Sequence, residues 1–198
     1  MKDHSNAYAE WVHVLTDILS KLEVTQRDGT VLTSESGFTS LKTLTDTIRE
    51  YHQTIFLIGN GASASMASHI AADLCKNAGL STEVFTDLSL ITAVANDQGS
   101  EFLYSTPLER RARPGDMLVA ISSSGRSPDI LKAVEATSRL NMSVVTFSAM
   151  AADNPLRKAG DLNFYVPAPT YGQAESAHAA LLHFWVDRVA GEFSKQAK

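Results

Sequence analysis

Residues 54–74, TIFLIGNGASASMASHIAADL, restrict the fold more than any other stretch. Thr54 to Ile58 is a short apolar run rich in β-branched and aromatic residues, the composition of a buried strand. It stops at Gly59-Asn60-Gly61, and the pattern then becomes small-residue helical, which predicts a helix over 63–78. A strand, a glycine turn and a helix start bring unpaired N–H groups and the positive end of a helix dipole to one mouth, which favours an anion such as phosphate. Ser63 and Ser65 add hydroxyls there. No Lys follows the second glycine and a third glycine is absent, so the stretch is neither a P-loop nor a dinucleotide fingerprint. An ordinary strand–helix turn would read the same way.

The remaining chain repeats this alternation. Residues 6–25 carry Tyr8, Trp11, Val12, Leu15, Ile18, Leu19 and Leu22 at helical spacing, a stripe suited to covering the sheet or another subunit. Residues 26–37 read as a loop and 39–52 as a second helix. Strands are predicted at 54–58, 82–86, 117–121, 142–148 and 161–166. Helices are predicted at 88–94, 100–112, 128–140, 151–158 and 173–194. Strands separated by helices predict a parallel sheet covered on both faces, with ligands beyond the carboxyl ends of the strands. The turn after 117–121 is Ser122-Ser123-Ser124-Gly125-Arg126-Ser127-Pro128, a set of hydroxyls and amides able to hold a phosphate without Lys or metal. A serine-rich loop that merely caps its own helix is the alternative. The last helix is apolar over most of its circumference, which suggests burial between subunits.

Composition narrows the class. A net charge of −5 with no basic block argues against a nucleic-acid partner. The single cysteine, Cys75, excludes an intrachain disulfide, fits a reducing cytoplasm and reads as a small helix-packing residue. MKDHSNAYAEW lacks the apolar core of a signal peptide, and no run is long enough for a membrane span. His4, His13 and His52 read as surface residues.

G-N-G-A-S at 59–63, A-N-D at 95–97 and A-I-S-S-S-G-R-S-P-D-I-L-K-A-V-E-A at 120–136 resemble the SIS (sugar isomerase) fold, and within it the phosphoheptose isomerase group. The resemblance spans nearly the whole chain. It implies a single flavodoxin-like SIS domain over 53–198 with a five-stranded parallel sheet. Residues 1–52 would form an extra N-terminal helical pair at the core and subunit interface. It further implies a homotetramer with active sites between subunits, a phosphorylated sugar as substrate, and no nucleotide cofactor. Ser63, Ser122, Ser124 and Ser127 match the family's phosphate-binding serines, with Ser123 beside them. Asn60, Gly61 and Asp97 match positions lining the sugar pocket.

The resemblance also implies the chemistry. His69-x-x-x-Asp73 stands where the isomerases carry His-x-x-x-Glu, and Glu175 and His183 stand where the last helix carries Gln and His. Those four positions hold one zinc ion per subunit in family members that bind it, and Glu175 also faces substrate there. Asp73 and His183 occupy the acid/base positions. Three departures stand out: Asp for Glu at 73, Glu for Gln at 175, and Gly172 for an acidic residue. Glu175 and His183 lie about 12 Å apart along a helix, so shared ligation of one ion needs converging side chains or a helix that starts after 175. His178 lies between them. The implied activity is aldose–ketose isomerisation of sedoheptulose 7-phosphate. A different phosphosugar is one rival. A non-catalytic SIS protein associated with the replication initiator is the other, and Asp73 and His183 stand against it.

Overall fold

The computed structural model describes residues 6–191. His4 and the end of the predicted helix beyond 191 lie outside them. The core is a seven-stranded sheet rather than a five-stranded one. Its strands are β1 (Glu23–Gln26), β2 (Val31–Leu32), β3 (Thr54–Gly59), β4 (Ser81–Glu83), β5 (Met117–Ser122), β6 (Ser143–Ala149) and β7 (Leu162–Val166), in the order β2-β1-β7-β6-β5-β3-β4. The five parallel strands β4-β3-β5-β6-β7 are the expected flavodoxin-like sheet. The additional two form a hairpin antiparallel to β7, with Glu23 opposite Tyr165 and Gln26 opposite Leu162.

That hairpin corrects the N-terminal expectation. Helix α1 (Ala7–Ser20) stops five residues short of 25, and α2 begins inside the predicted loop, at Ser34, and runs to Glu50. Thr33 sets that start, its hydroxyl accepting the Ser36 N–H at 3.1 Å. The pair on the chain's amino side is therefore helix–hairpin–helix, with Val24 fully buried in the core.

The other helices are α3 (Ala62–Ala78), α4 (Leu88–Asp97), α5 (Ser105–Arg111), α6 (Pro128–Leu140) and α7 (Tyr171–Ala190). The predicted 100–112 helix is a 3-10 turn at 100–102 followed by α5, and 151–158 reduces to a 3-10 turn at 155–158. Proline opens α6 at its first position, where a missing N–H costs nothing.

The central strands are buried on both faces, as parallel strands between helical layers must be. Ile55, Leu57, Val119, Ile121, Val145 and Phe147 face α1, α2, α3 and α7. Phe56, Ile58, Leu118, Ala120 and Val144 face the opposite layer, with Leu108 of α5 and Ile130 and Val134 of α6. Full burial of each large side chain stabilises by roughly 1.5–3 kcal/mol. The Trp185 indole N–H donates to Thr45 Oγ1 at 3.0 Å, joining α7 to α2 inside the first layer.

The chain leaves β3 toward β4 on one side and returns to β5 on the other. The reversal lies between β3 and β5, where Gly59 pairs with Ile121. Their two following turns therefore lie side by side at the crevice of the sheet.

Candidate active site

The serine pocket forms at this crevice. It has a volume of about 160 Å³ and is lined by Asn60 and Ser63 from the first turn and by Ser122, Ser123, Ser124 and Ser127 from the second. Ile121 forms the floor, and Tyr171 and Glu175 close it from α7. No Lys or Arg is among these residues. Arg126, within the loop, turns away to Asp153 at 2.8 Å.

The loop does not cap its own helix. Ser127 is the residue before α6, yet its side chain makes no cap hydrogen bond; its oxygen lies 3.4 Å from that of Ser122. The start of α3 likewise has no side-chain cap. The starts of α2, α4 and α7 are each capped by a Thr or Asp side chain. Helices α1 and α5 also lack a side-chain cap, and at α3 the Ser63 and Ala64 N–H groups go to the Asn60 and Gly61 carbonyls, so what the two helix starts offer an anion at the pocket is chiefly their dipoles.

Two glycines make the geometry possible. Gly61 has φ 56° and ψ −122°, a region only glycine occupies readily. Gly125 has φ 60°, and a Cβ there would come within 2.0 Å of Asn154 Oδ1. Asn154 is fully buried and holds the neighbouring backbone, its amide donating to the Ala149 and Ala151 carbonyls.

A second constellation lies further along α3 and α7. Ligand atoms of His69, Asp73 and His183 all fall within 4.8 Å of one another. His69 Nε2 is 3.4 Å from Asp73 Oδ2, and the two imidazole rings are 5.1 Å apart, edge to face. Both histidines are exposed in the single chain. Glu175 is not in this cluster. Helix α7 already includes it, so the rise of about 12 Å to His183 separates them, and Glu175 lines the serine pocket instead.

Other predicted positions fall as follows. Asp97 ends α4 in solvent and accepts the Asn96 amide at 2.8 Å, outside the lining of the serine pocket. Cys75 is exposed rather than packed in the helix contact; it follows the buried Ala71 by one turn, past the edge of the face formed by Ala67, Ile70, Ala71 and Leu74. Helix α7 is buried on one side only; Ala180, His183 and Asp187 form an open stripe. His13 and His52 are exposed, as expected.

Two site residues were not anticipated. Asp129 is buried at the start of α6 and accepts the Asn60 amide at 3.0 Å. The Tyr104 hydroxyl donates to the Gly59 carbonyl, and its oxygen lies 3.3 Å from Asn60 Oδ1. Burial and then the charge of Asp129 push the Tyr104 phenol up to about 12, against the opposing pull of its bond to Gly59. His178, which the sequence sets between Glu175 and His183, is in neither the serine pocket nor the histidine–aspartate cluster; it is fully buried, with neither ring nitrogen in a hydrogen bond. Burial lowers its pKa to about 4; the nearby Ser148 carbonyl, which lacks hydrogen-bond geometry to the ring, offsets this only in part.

A flavodoxin-like sheet with paired glycine and serine turns at its switch point is the architecture of the SIS domain, and the SIS domain family matches residues 10–149; the chain belongs to that family. Within it, the chain is similar to phosphoheptose isomerases. That of Shewanella denitrificans is 34% identical over 68% of this chain and 73% of its own. That of Roseiflexus is 30% identical over 92% of this chain and 93% of its own. The solved phosphoheptose isomerase of Neisseria gonorrhoeae is 26% identical, covers 93% of this chain and 96% of its own, and superposes with a TM-score of 0.79.

Proposed function

We infer that the protein is an aldose–ketose isomerase that converts sedoheptulose 7-phosphate to a heptose 7-phosphate. The observation that carries this is a phosphate-sized polar pocket and an imidazole–carboxylate cluster served by the same two helices, α3 and α7. Serine hydroxyls, loop amides and the two uncapped helix starts hold the phosphate. Asp73 accepts a proton from C1 of the ketose. His183 supplies a proton to the C2 oxygen and takes one from the C1 hydroxyl. The enediol collapses when the proton held by Asp73 returns at C2, leaving the aldehyde at C1.

His69, Asp73 and His183 are two imidazoles and a carboxylate, a donor set that suits zinc with one position open. Bound there, the ion would polarise a substrate oxygen. A carboxylate committed to the ion is a weaker base, so the two roles of Asp73 compete. The exposure of His69 and His183 favours completion of the site by a neighbouring subunit, in the homotetramer the resemblance implies. A single exposed cysteine fits a reducing, cytoplasmic setting.

The test is turnover of a panel of ketose phosphates followed by NMR of the aldose proton, with metal content measured in parallel. Asp73→Asn and His183→Gln should each lower kcat by on the order of 100- to 10,000-fold, with the double variant little worse. Full activity in Asp73→Asn would eliminate it as the base. Loss that tracks metal content and returns with added zinc would make Asp73 a ligand only.

A further inference from the structure

The serine pocket contains one amide side chain, Asn60, and that residue also lines the adjoining cavity of about 300 Å³ beside Ser100, Glu101 and Asp129. Asn60 thus stands on the wall between the two. An amide has a donor end and an acceptor end of nearly the same shape, so its usefulness in a pocket depends on which way it is turned. Tyr104 does not decide the matter. Its one proton goes to the Gly59 carbonyl, the closer acceptor, and Asn60 Oδ1 at 3.3 Å is only the weaker alternative for that same proton. Asp129 does decide it, because a carboxylate offers only acceptors and the amide nitrogen must face it. Asp129 is itself fixed: it is buried in the first turn of α6, where the helix dipole favours its charge.

We propose that Asp129 is a positioning residue, which turns Asn60 so that its second amide N–H is a hydrogen-bond donor to the phosphosugar. Asp129 touches Asn60 and acts on the ligand through it. The proposal rests on the serine pocket being the phosphate seat, and a carboxylate so close to an anion site otherwise works against binding. Its justification is the orientation it imposes.

Two sets of variants test this by calorimetry with sedoheptulose 7-phosphate, alongside thermal melts. Wild-type binding tests the phosphate seat; the variant ratios test the role of Asp129. Asp129→Asn should weaken binding about tenfold in the wild-type background and less than about twofold in Asn60→Ala, since the two act as one unit. A purely structural role would give the same loss in both backgrounds, and that result, or no loss in either, would overturn the proposal. The second set covers the case in which Asp129→Asn fails to fold. Combining Asn60→Asp with Asp129→Asn restores a hydrogen bond between the positions but leaves an acceptor facing the ligand. Melting should recover while affinity does not. Recovery of wild-type affinity in that double variant would also overturn the proposal.

Discussion

Ser122 and Ser124 sit on a rigid strand end and its turn, so removing their hydroxyls leaves the pocket's shape and takes away donors. Each hydrogen bond to a charged group is worth about 1.5–3 kcal/mol. Ser122→Ala with Ser124→Ala should weaken phosphosugar binding by at least about 100-fold, with the melting temperature nearly unchanged; calorimetry and a thermal melt check both halves. His178 gives a different kind of prediction. Its pKa is about 4 in the folded chain against an ordinary 6.5, so the unfolded chain takes up a proton first as pH falls. The stability from burying a neutral ring is therefore complete above about pH 6.5 and is lost progressively down to about pH 4, on the order of 3 kcal/mol in total. His178→Phe should flatten that part of the stability-against-pH curve, measured by urea unfolding at each pH, whatever it does to absolute stability. These residues differ in legibility. The serines were visible because they are contiguous and follow an apolar run. The Asn60–Asp129 bond spans 69 positions, and nothing in local sequence pairs them.

At the scale of elements, the serine loop and the 3-10 turn at 155–158 are one unit. Asn154 caps that turn through the Arg157 N–H at 3.0 Å, and its side chain lies where a Cβ on residue 125 would go. Gly125→Ala should therefore displace Asn154, lower the melting temperature by several degrees and weaken phosphosugar binding, although it touches no ligand atom. A melt and a binding titration on the same preparation check this. The strands that were legible are the ones buried on both faces, whose apolar runs are bounded by turn residues. The β1–β2 hairpin was not. Leu19 and Leu22 continue the helical spacing up to the edge of Glu23–Gln26, and only pairing with β7 makes that segment a strand. On α7, the open stripe carries one exposed alanine, Ala180, beside His183 and Asp187, while Ala174 and Ala177 are buried.

For the whole molecule, the apolar surface left open on α1 is the clearest sign of assembly. Tyr8 is 80% exposed, and Trp11, Val12 and Val14 about 40% each. Monomers rarely leave such a stripe uncovered. Light scattering should give a mass well above the 21.4 kDa of one chain. Trp11→Glu should lower that mass, and turnover with it under the proposal that a neighbouring subunit completes the site of His69 and His183. The parallel sheet was legible because its connections are local in sequence; the four-position metal set was not, since α7 runs through Glu175 and its helix rise leaves that residue outside the cluster of His69, Asp73 and His183. The same rise also turns α3 and α7 into a measuring rod. Six residues separate Ser63 from His69 and eight separate Glu175 from His183, or about 9 and 12 Å of helix rise. A sugar anchored by its phosphate at one end must be long enough for its carbonyl to arrive at the other. Short ketose phosphates would then lodge by the same anchor and go unreacted, so the enzyme would meet them as inhibitors and select its substrate by carbon count.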